Sequence, residues 1–149
     1  SDALGMSSGE MGGRDAERGV RLGVGYEALH QGRLARGKLW ESDTAVFVGV
    51  MSTEFRYALP HANAYAMTGT GHCFAAGRFS YVLGLHGACE AIDTACSAAL
   101  VAVHNAHRAL QMQDGRDALM AGVNMMFIPI TLDRCAAFIK LSIVLLTTV

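Results

Sequence analysis

The sequence predicts an α/β fold in which helices pack on a sheet that is buried on both faces. Short, continuous apolar runs rich in β-branched residues are typical of strands with two covered faces. These runs are separated by longer segments whose apolar residues recur at helical spacing. The chain has 149 residues, of which 52% are hydrophobic, so it has enough apolar material to bury the core that such layers require.

The first half of the chain contains one predicted helix and one predicted strand. Residues 1–14 are rich in glycine and small polar residues, which predicts an irregular opening segment. Apolar residues near helical spacing predict a helix over 15–34, ending around Gly32. The apolar run at 45–50 follows turn-forming residues and predicts a strand buried on both faces. Residues 52–69 are mixed and polar, and we expect them to form a surface excursion.

The second half of the chain alternates between strand and helix patterns. A helix is predicted over 73–85, a strand over 90–93, a longer helix over 98–112 and a further strand over 117–123. The pattern after residue 123 is ambiguous between a strand and a short helix. This alternation supports the α/β class.

Charge and composition argue against several classes of function. Twelve Lys and Arg residues are balanced by thirteen Asp and Glu residues, without a basic stripe, so nucleic acid and anionic membranes are poor candidates as partners. The four cysteines form no CxxC pair, which argues against a zinc knuckle or a disulfide framework. His104 and His107 lie on one predicted helix, yet no third ligand follows at a suitable spacing, and we expect no metal site. The apolar run at 143–146 is too short to span a bilayer.

Cys96 is the strongest candidate for chemistry in the sequence. It lies where a predicted strand changes into a predicted helix, among backbone N–H groups at the positive end of the helix dipole. That setting favours the thiolate, and the same N–H groups can donate to the oxyanion that forms when a thioester carbonyl is attacked. The residues alone leave open an alternative in which Cys96 is a small buried hydrophobic residue at a tight turn. Asp93 is interpreted as a carboxylate that bonds nearby backbone N–H groups and fixes the turn.

The segment around Cys96 also carries a family resemblance. Residues 93–104 read D-T-A-C-S-A-A-L-V-A-V-H, which resembles the nucleophile motif of β-ketoacyl synthases, usually D-T-A-C-S-S-S-L-V-A-x-H. Residues 76–85, A-G-R-F-S-Y-V-L-G-L, are similar to a second family segment at the expected distance upstream. Shorter matches occur in family order at 26–29, 46–49, 65–70 and 121–124. The resemblance covers roughly residues 16–126 and favours the polyketide branch of the family.

The resemblance implies a thiolase-like layered α/β/α/β/α fold, of which this chain holds the first, nucleophile-bearing half. Cys96 then accepts an acyl group from a phosphopantetheine thioester; a malonyl-type extender loses carbon dioxide and attacks the acyl-enzyme to give a β-ketoacyl thioester. The backbone N–H of Cys96 is implied as one oxyanion donor, with Asp93, Thr94, Ala95 and Ser97 supporting the turn. Two catalytic histidines, a lysine and a second oxyanion donor belong to a later half of the family's domain, and their motifs are absent from this sequence.

The resemblance also implies the partners of the domain. An acyl carrier protein presents acyl and malonyl thioesters on its phosphopantetheine arm, which is a substrate carrier, and no cofactor is bound directly. The full domain is expected to be a homodimer that is joined through the strand leading to Cys96. The expected location is the cytoplasm, or the plastid stroma if the parent protein is organellar.

The chain divides into three predicted segments: an irregular opening at 1–14, a partial β-ketoacyl synthase domain at 15–142 and an apolar tail at 143–149. The tail takes the place of a family loop that carries Gly, Arg and Lys, which indicates truncation or a reading-frame or splice artefact. We therefore expect that the chain cannot catalyse condensation by itself. Two alternatives stay open: a fatty acid synthase condensing enzyme, and a non-catalytic dimerisation or scaffold remnant of the fold. A cysteine hydrolase is disfavoured, because no signature flanking the cysteine and no downstream His/Asn pair is present.

Overall fold

The computed structural model describes residues 23, 24, 27, 36–51, 71–124 and 140–147. The elements in these ranges are α1 (Arg36–Leu39), β1 (Ala45–Val50), α2 (Cys73–Leu83), β2 (Cys89–Ile92), α3 (Ala98–Gln111), β3 (Asp117–Asn124) and β4 (Lys140–Thr147). Residues 23, 24 and 27 are also helical. The other residues of the helix predicted over 15–34 and the excursion predicted over 52–69 lie outside the described residues. No helix within these ranges has the length and apolar character needed to cross a bilayer.

The strands of the described residues form one mixed sheet in the order β2-β1-β3-β4. β1 is parallel to both β2 and β3, whereas β4 is antiparallel to β3. Parallel neighbours need a crossover connection, and α2 lies between β1 and β2 in the chain, as α3 lies between β2 and β3. The predicted α/β class is therefore confirmed.

β1 is the central strand of the fold, because both of its faces are covered. Every residue of β1 is buried. Val46 and Val48 belong to one apolar core with Phe79 of α2, while Phe47 belongs to a second core with Ala106 of α3. Residues of a strand alternate between its two faces, which explains why β1 reads as a continuous apolar run. The described layers are α/β/α, the first half of the layered arrangement that the sequence predicted.

The helix α2 ends at Leu83, short of the predicted end at Leu85. Gly84 adopts a left-handed backbone with φ of +66°, and its N–H donates to the carbonyl oxygen of Ser80. A left-handed glycine is a common way to end a helix. The ring of Trp40 lies against Gly84, where an added Cβ would come within 2.7 Å of a ring carbon. Gly84 is thus required both for its φ and for the space that it leaves.

The strand β4 resolves the part of the chain that the sequence left ambiguous. It pairs along the whole of β3, from Asp117 opposite Thr147 to Asn124 opposite Lys140. Its run of apolar and β-branched residues fits a strand better than a short helix. The predicted boundary between residues 142 and 143 falls inside β4, and the separate status of the tail stays a prediction.

Candidate active site

Residues 93–97 connect the parallel strand β2 to the helix α3, and Cys96 lies in this connection. In open α/β sheets, ligands bind beyond the carboxyl ends of the parallel strands, and the connection follows the carboxyl end of β2. Cys96 is exposed. The alternative in which Cys96 is a small buried hydrophobic residue is therefore wrong.

The connection, which we call the nucleophile turn (residues 93–97), is held by a dense set of local hydrogen bonds. The N–H of Ala95 donates to Oδ1 of Asp93 at 3.0 Å. The hydroxyl of Ser97 donates to the carbonyl oxygen of Thr94 at 2.7 Å and lies 3.0 Å from the Thr94 hydroxyl. The N–H of Ala98 donates to the carbonyl oxygen of Ala95 at 3.0 Å. All the residues that the sequence associated with Cys96 thus lie in one hydrogen-bonded turn.

Ala95 has a left-handed backbone conformation, with φ of +54°. For a residue with a Cβ this conformation costs about 1–2 kcal/mol. Strained residues persist where the surrounding structure over-determines them, and the hydrogen bonds on both sides of Ala95 do so here. The strained residue directly precedes Cys96, so the chain reverses sharply at the nucleophile.

The helix α3 begins directly behind Cys96 with its first turn uncapped by a side chain. Ser97 is the N-cap residue and makes no side-chain bond to the helix, because its hydroxyl bonds backward to Thr94. Within the described part of the chain, the backbone N–H of Cys96 donates to no other residue. A thiol and donor groups at a helix N-terminus therefore share one turn, and such donors can stabilise an oxyanion.

The other cysteines and the two helix histidines lie elsewhere. Cys73 is the first residue of α2 and Cys89 the first residue of β2, and both are exposed. Cys135 lies outside the described residues. His104 and His107 are exposed on α3, and across the described ranges no three His, Cys, Asp or Glu side chains come together as a metal site would require. Exposure alone thus does not distinguish Cys96 from the other described cysteines.

Two contacts beside the nucleophile turn were not predicted from the sequence. The side-chain amide of Asn105 on α3 donates to Oε2 of Glu90 on β2 at 3.2 Å, which ties together the two elements that flank the turn. At Gly49 of β1, an added Cβ would lie 2.5 Å from the carbonyl carbon of Ala98. The glycine inside a strand pattern was a signal for close backbone approach, but the sequence does not say which backbone approaches.

A polar groove opens at the opposite edge of the sheet. The residues that line it precede β1, β2 and β3 and include Asp43, His86, Gln113, Asp114 and Arg116. Because these three strands are parallel, the residues before them lie at the edge remote from Cys96. The groove is therefore separate from the nucleophile turn.

Comparison with known proteins assigns the chain to a family. The sequence model described as "Beta-ketoacyl synthase, N-terminal domain" matches residues 7–142. The chain is 34% identical to one component of the phenolphthiocerol/phthiocerol polyketide synthase of Mycobacterium tuberculosis, over 93% of its length. It is 40% identical to tenellin synthetase of Beauveria bassiana, over 85% of its length. The chain spans only 10% and 3% of these two relatives, respectively.

Solved structures show the same relationship. The chain is similar to the ketosynthase from module 6 of the bacillaene synthase from Bacillus subtilis 168, with a TM-score of 0.78 and 30% identity. The similarity covers 88% of this chain and 22% of that one. It supports a thiolase-like fold for the described α/β/α layers, and the family match includes the whole nucleophile turn. The chain therefore belongs to the β-ketoacyl synthase family, as N-terminal domain sequence of a ketosynthase of the polyketide synthase type.

Proposed function

We propose that this chain supplies the acyl-accepting part of a polyketide ketosynthase, with Cys96 as the residue that is acylated. One observation carries the proposal: an exposed thiol lies on a strained turn between the carboxyl end of a parallel strand and the N-terminus of a 14-residue helix. Such a turn presents a nucleophile and donor groups to the same substrate carbonyl.

In the proposed first step, the Cys96 thiolate attacks the carbonyl carbon of an acyl thioester on the phosphopantetheine arm of a carrier protein. An S–C bond forms, and the carbonyl electrons move onto the oxygen, which the backbone N–H of Cys96 stabilises. The bond to the pantetheine sulfur then breaks, and that sulfur leaves and takes up the proton that Cys96 released. The acyl group remains on Cys96 as a thioester.

The second step is decarboxylative condensation. A malonyl thioester loses carbon dioxide, its carbanion attacks the acyl carbonyl on Cys96, and the Cys96 sulfur leaves as a β-ketoacyl thioester forms on the carrier protein. By the family resemblance, histidines, a lysine and a second oxyanion donor assist this step, and their motifs are absent from the 149 residues. We therefore propose that the chain by itself completes only the acylation.

The proposed partners are an acyl carrier protein and a second copy of the chain. Among the described strands, β2 pairs with β1 alone, which leaves its other edge open. An open strand edge presents unpaired backbone N–H and C=O groups that a second strand can bind. We propose that this edge contributes to a homodimer of the full domain, and that the domain works in the cytoplasm or the plastid stroma.

Acylation of the purified 149-residue chain by an acyl N-acetylcysteamine thioester tests the first step, with the modified cysteine identified by peptide mass spectrometry. We expect the acyl group on Cys96, its loss in Cys96→Ser and its retention in the matched control Cys89→Ser. Because Cys73, Cys89 and Cys96 are all exposed, selective acylation reports reactivity rather than access. Equal acylation of the three cysteines, or none at Cys96, would contradict the proposal.

Condensation is tested by adding acyl and malonyl carrier proteins to the same chain. We expect release of carbon dioxide and formation of β-ketoacyl product to stay at the level of the Cys96→Ser control. Sustained product formation would show that the chain is competent alone.

A further inference from the structure

We infer that Gly49 is a positioning residue for Cys96, because its missing side chain lets the first turn of α3 rest directly on the backbone of β1. The inference rests on the proposed role of Cys96 as the acyl acceptor. It concerns where the nucleophile is held, rather than what the nucleophile does.

The strand register places Gly49 next to the nucleophile turn. Its Cα is paired with that of Ile92, the last residue of β2, and on the other side with that of Gly122 in β3. The nucleophile turn begins at the residue after Ile92. Gly49 therefore lies in the row of the sheet from which the turn departs.

Gly49 faces α3. Ala45 and Phe47 of the same strand pack in the core that α3 covers, and strand residues two apart share a face. An added Cβ at Gly49 would lie 2.5 Å from the carbonyl carbon of Ala98, 2.6 Å from its oxygen and 2.6 Å from the nitrogen of Ala99. Favourable contact between such atoms begins at about 3.5 Å, so a Cβ would require a shift of roughly 1 Å.

The shift would have to be made by the start of the helix. All three atoms near the added Cβ are backbone atoms, which cannot rotate away as the end of a side chain can. β1 is the central strand, paired on both sides and fully buried. The first turn of α3 has solvent on its outer side, where Leu100 is 72% exposed, and it therefore has room to move.

A shift of Ala98 would reach Cys96 through the turn. The N–H of Ala98 donates to the carbonyl oxygen of Ala95, and the N–H of Ser97 donates to that of Thr94. Cys96 lies between these bonded residues. Moving the first turn of α3 therefore moves both the sulfur and the donor groups relative to a bound carbonyl.

The chain offers a matched control at the other end of the same sheet. An added Cβ at Gly87 would lie 2.5 Å from the carbonyl carbon and oxygen of Thr44, so the clash is as severe and also involves backbone. Gly87 precedes β2, at the edge remote from Cys96. Gly87→Ala therefore reports the effect of a backbone clash on the fold without displacing the nucleophile.

The test compares Gly49→Ala and Gly87→Ala in the 149-residue chain. The readouts are the rate of acylation of Cys96 by the acyl thioester and the rate of iodoacetamide labelling of Cys96 relative to Cys73, both corrected for the folded fraction from urea unfolding. We expect Gly49→Ala to slow acylation at least about tenfold, since a misplacement of about 1 Å can cost up to 10²-fold. We expect Gly87→Ala to stay within about twofold of the unmodified chain, because Cys96 does not move.

Equal effects of the two substitutions on Cys96, or no effect of Gly49→Ala, would overturn the inference. If the unmodified chain is not acylated at all, the proposed function fails, and the labelling ratio of Cys96 to Cys73 alone decides whether Gly49 positions the thiol. The two failures are therefore distinguishable.

A second pair of variants covers the case in which Gly49→Ala does not fold. Ala98→Gly loosens the first turn of α3 from the helix side, and Ala109→Gly makes the same change in the last turn, each at a cost of about 1 kcal/mol in helix propensity. Both alanines are buried, at 4% and 8% exposure. We expect only Ala98→Gly to lower the ratio of Cys96 to Cys73 labelling, and equal ratios in the two variants would overturn the inference.

Discussion

Asp93 shows how a charged residue beside a nucleophile can be mistaken for a catalytic acid. Its Oδ1 accepts the N–H of Ala95 at 3.0 Å, and the side chain is exposed. An amide oxygen can make the same bond, whereas a methyl group cannot. The charge and the hydrogen bond can therefore be separated by substitution.

Asp93→Asn is predicted to leave the free energy of unfolding and the acylation rate of Cys96 nearly unchanged, because the turn keeps its acceptor. Asp93→Ala is predicted to lower the free energy of unfolding by about 0.5–1.5 kcal/mol, the usual net value of one hydrogen bond. Urea unfolding and the acylation assay measure the two quantities. A loss of acylation in Asp93→Asn as large as in Asp93→Ala would show that the charge matters and that the turn-fixing role is wrong.

Sequence reasoning identifies residues of the nucleophile turn but not their geometry. The position of Cys96 could be predicted because an apolar strand pattern changes to a helical one there, and because the motif around it is long. The positive φ of Ala95 could not, since alanine carries no signal for a left-handed backbone. The partner of Gly49 could not be predicted either, because it depends on how α3 docks on the sheet.

At the level of elements, hydrophobic periodicity accounts for most of the described structure. The predicted helix over 98–112 is α3 to within one residue, and the predicted strand over 117–123 is β3 to within one residue. Boundaries moved where backbone chemistry decided them, as at Gly84. The strand β4 escaped prediction, because an apolar run of that length fits either element until a neighbouring strand is available to pair with it.

The helix α3 packs on the sheet through a row of small side chains, which gives the next prediction. Ala102, Ala106 and Ala109 are buried and face the core shared with Phe47. Replacing Ala106, which is 0% exposed, with leucine inserts atoms into a filled space. Such overpacking typically costs about 1–3 kcal/mol.

Ala106→Leu is therefore predicted to lower the free energy of unfolding by about that amount, as measured by urea denaturation. The neighbouring His107 is exposed, so His107→Leu is the matched control, with an expected change within about 0.5 kcal/mol. If both variants unfold at the same urea concentration, the contact between α3 and the sheet is not close-packed in solution.

For the molecule as a whole, the sequence predicted the class and the family, and the structure adds how the layers are divided. The sheet separates two cores, one shared with α2 and one with α3. The turn bearing Cys96 lies at one edge of the parallel strands and the polar groove at the other. This division depends on contacts between distant residues, which local patterns do not encode.

The open edge of β2 gives the prediction that concerns the whole assembly. Cys89 is exposed at the start of this edge strand, and a lysine on an edge strand opposes pairing with another strand. We predict that the chain self-associates and that Cys89→Lys weakens the association at least about tenfold, or about 1.4 kcal/mol. Sedimentation equilibrium over a range of concentrations, with a reductant present to prevent disulfide links, measures this.

Cys73→Lys is the matched control, because Cys73 is equally a free, exposed cysteine but lies on α2 rather than on the sheet edge. Its association constant is expected to match that of the unmodified chain. A chain that stays monomeric at every concentration, or one that Cys73→Lys weakens as much as Cys89→Lys, would contradict pairing through β2. Association that depends on Cys89 alone would instead connect the dimer to the strand that leads into the nucleophile turn, so that the two copies of Cys96 are held by one continuous sheet.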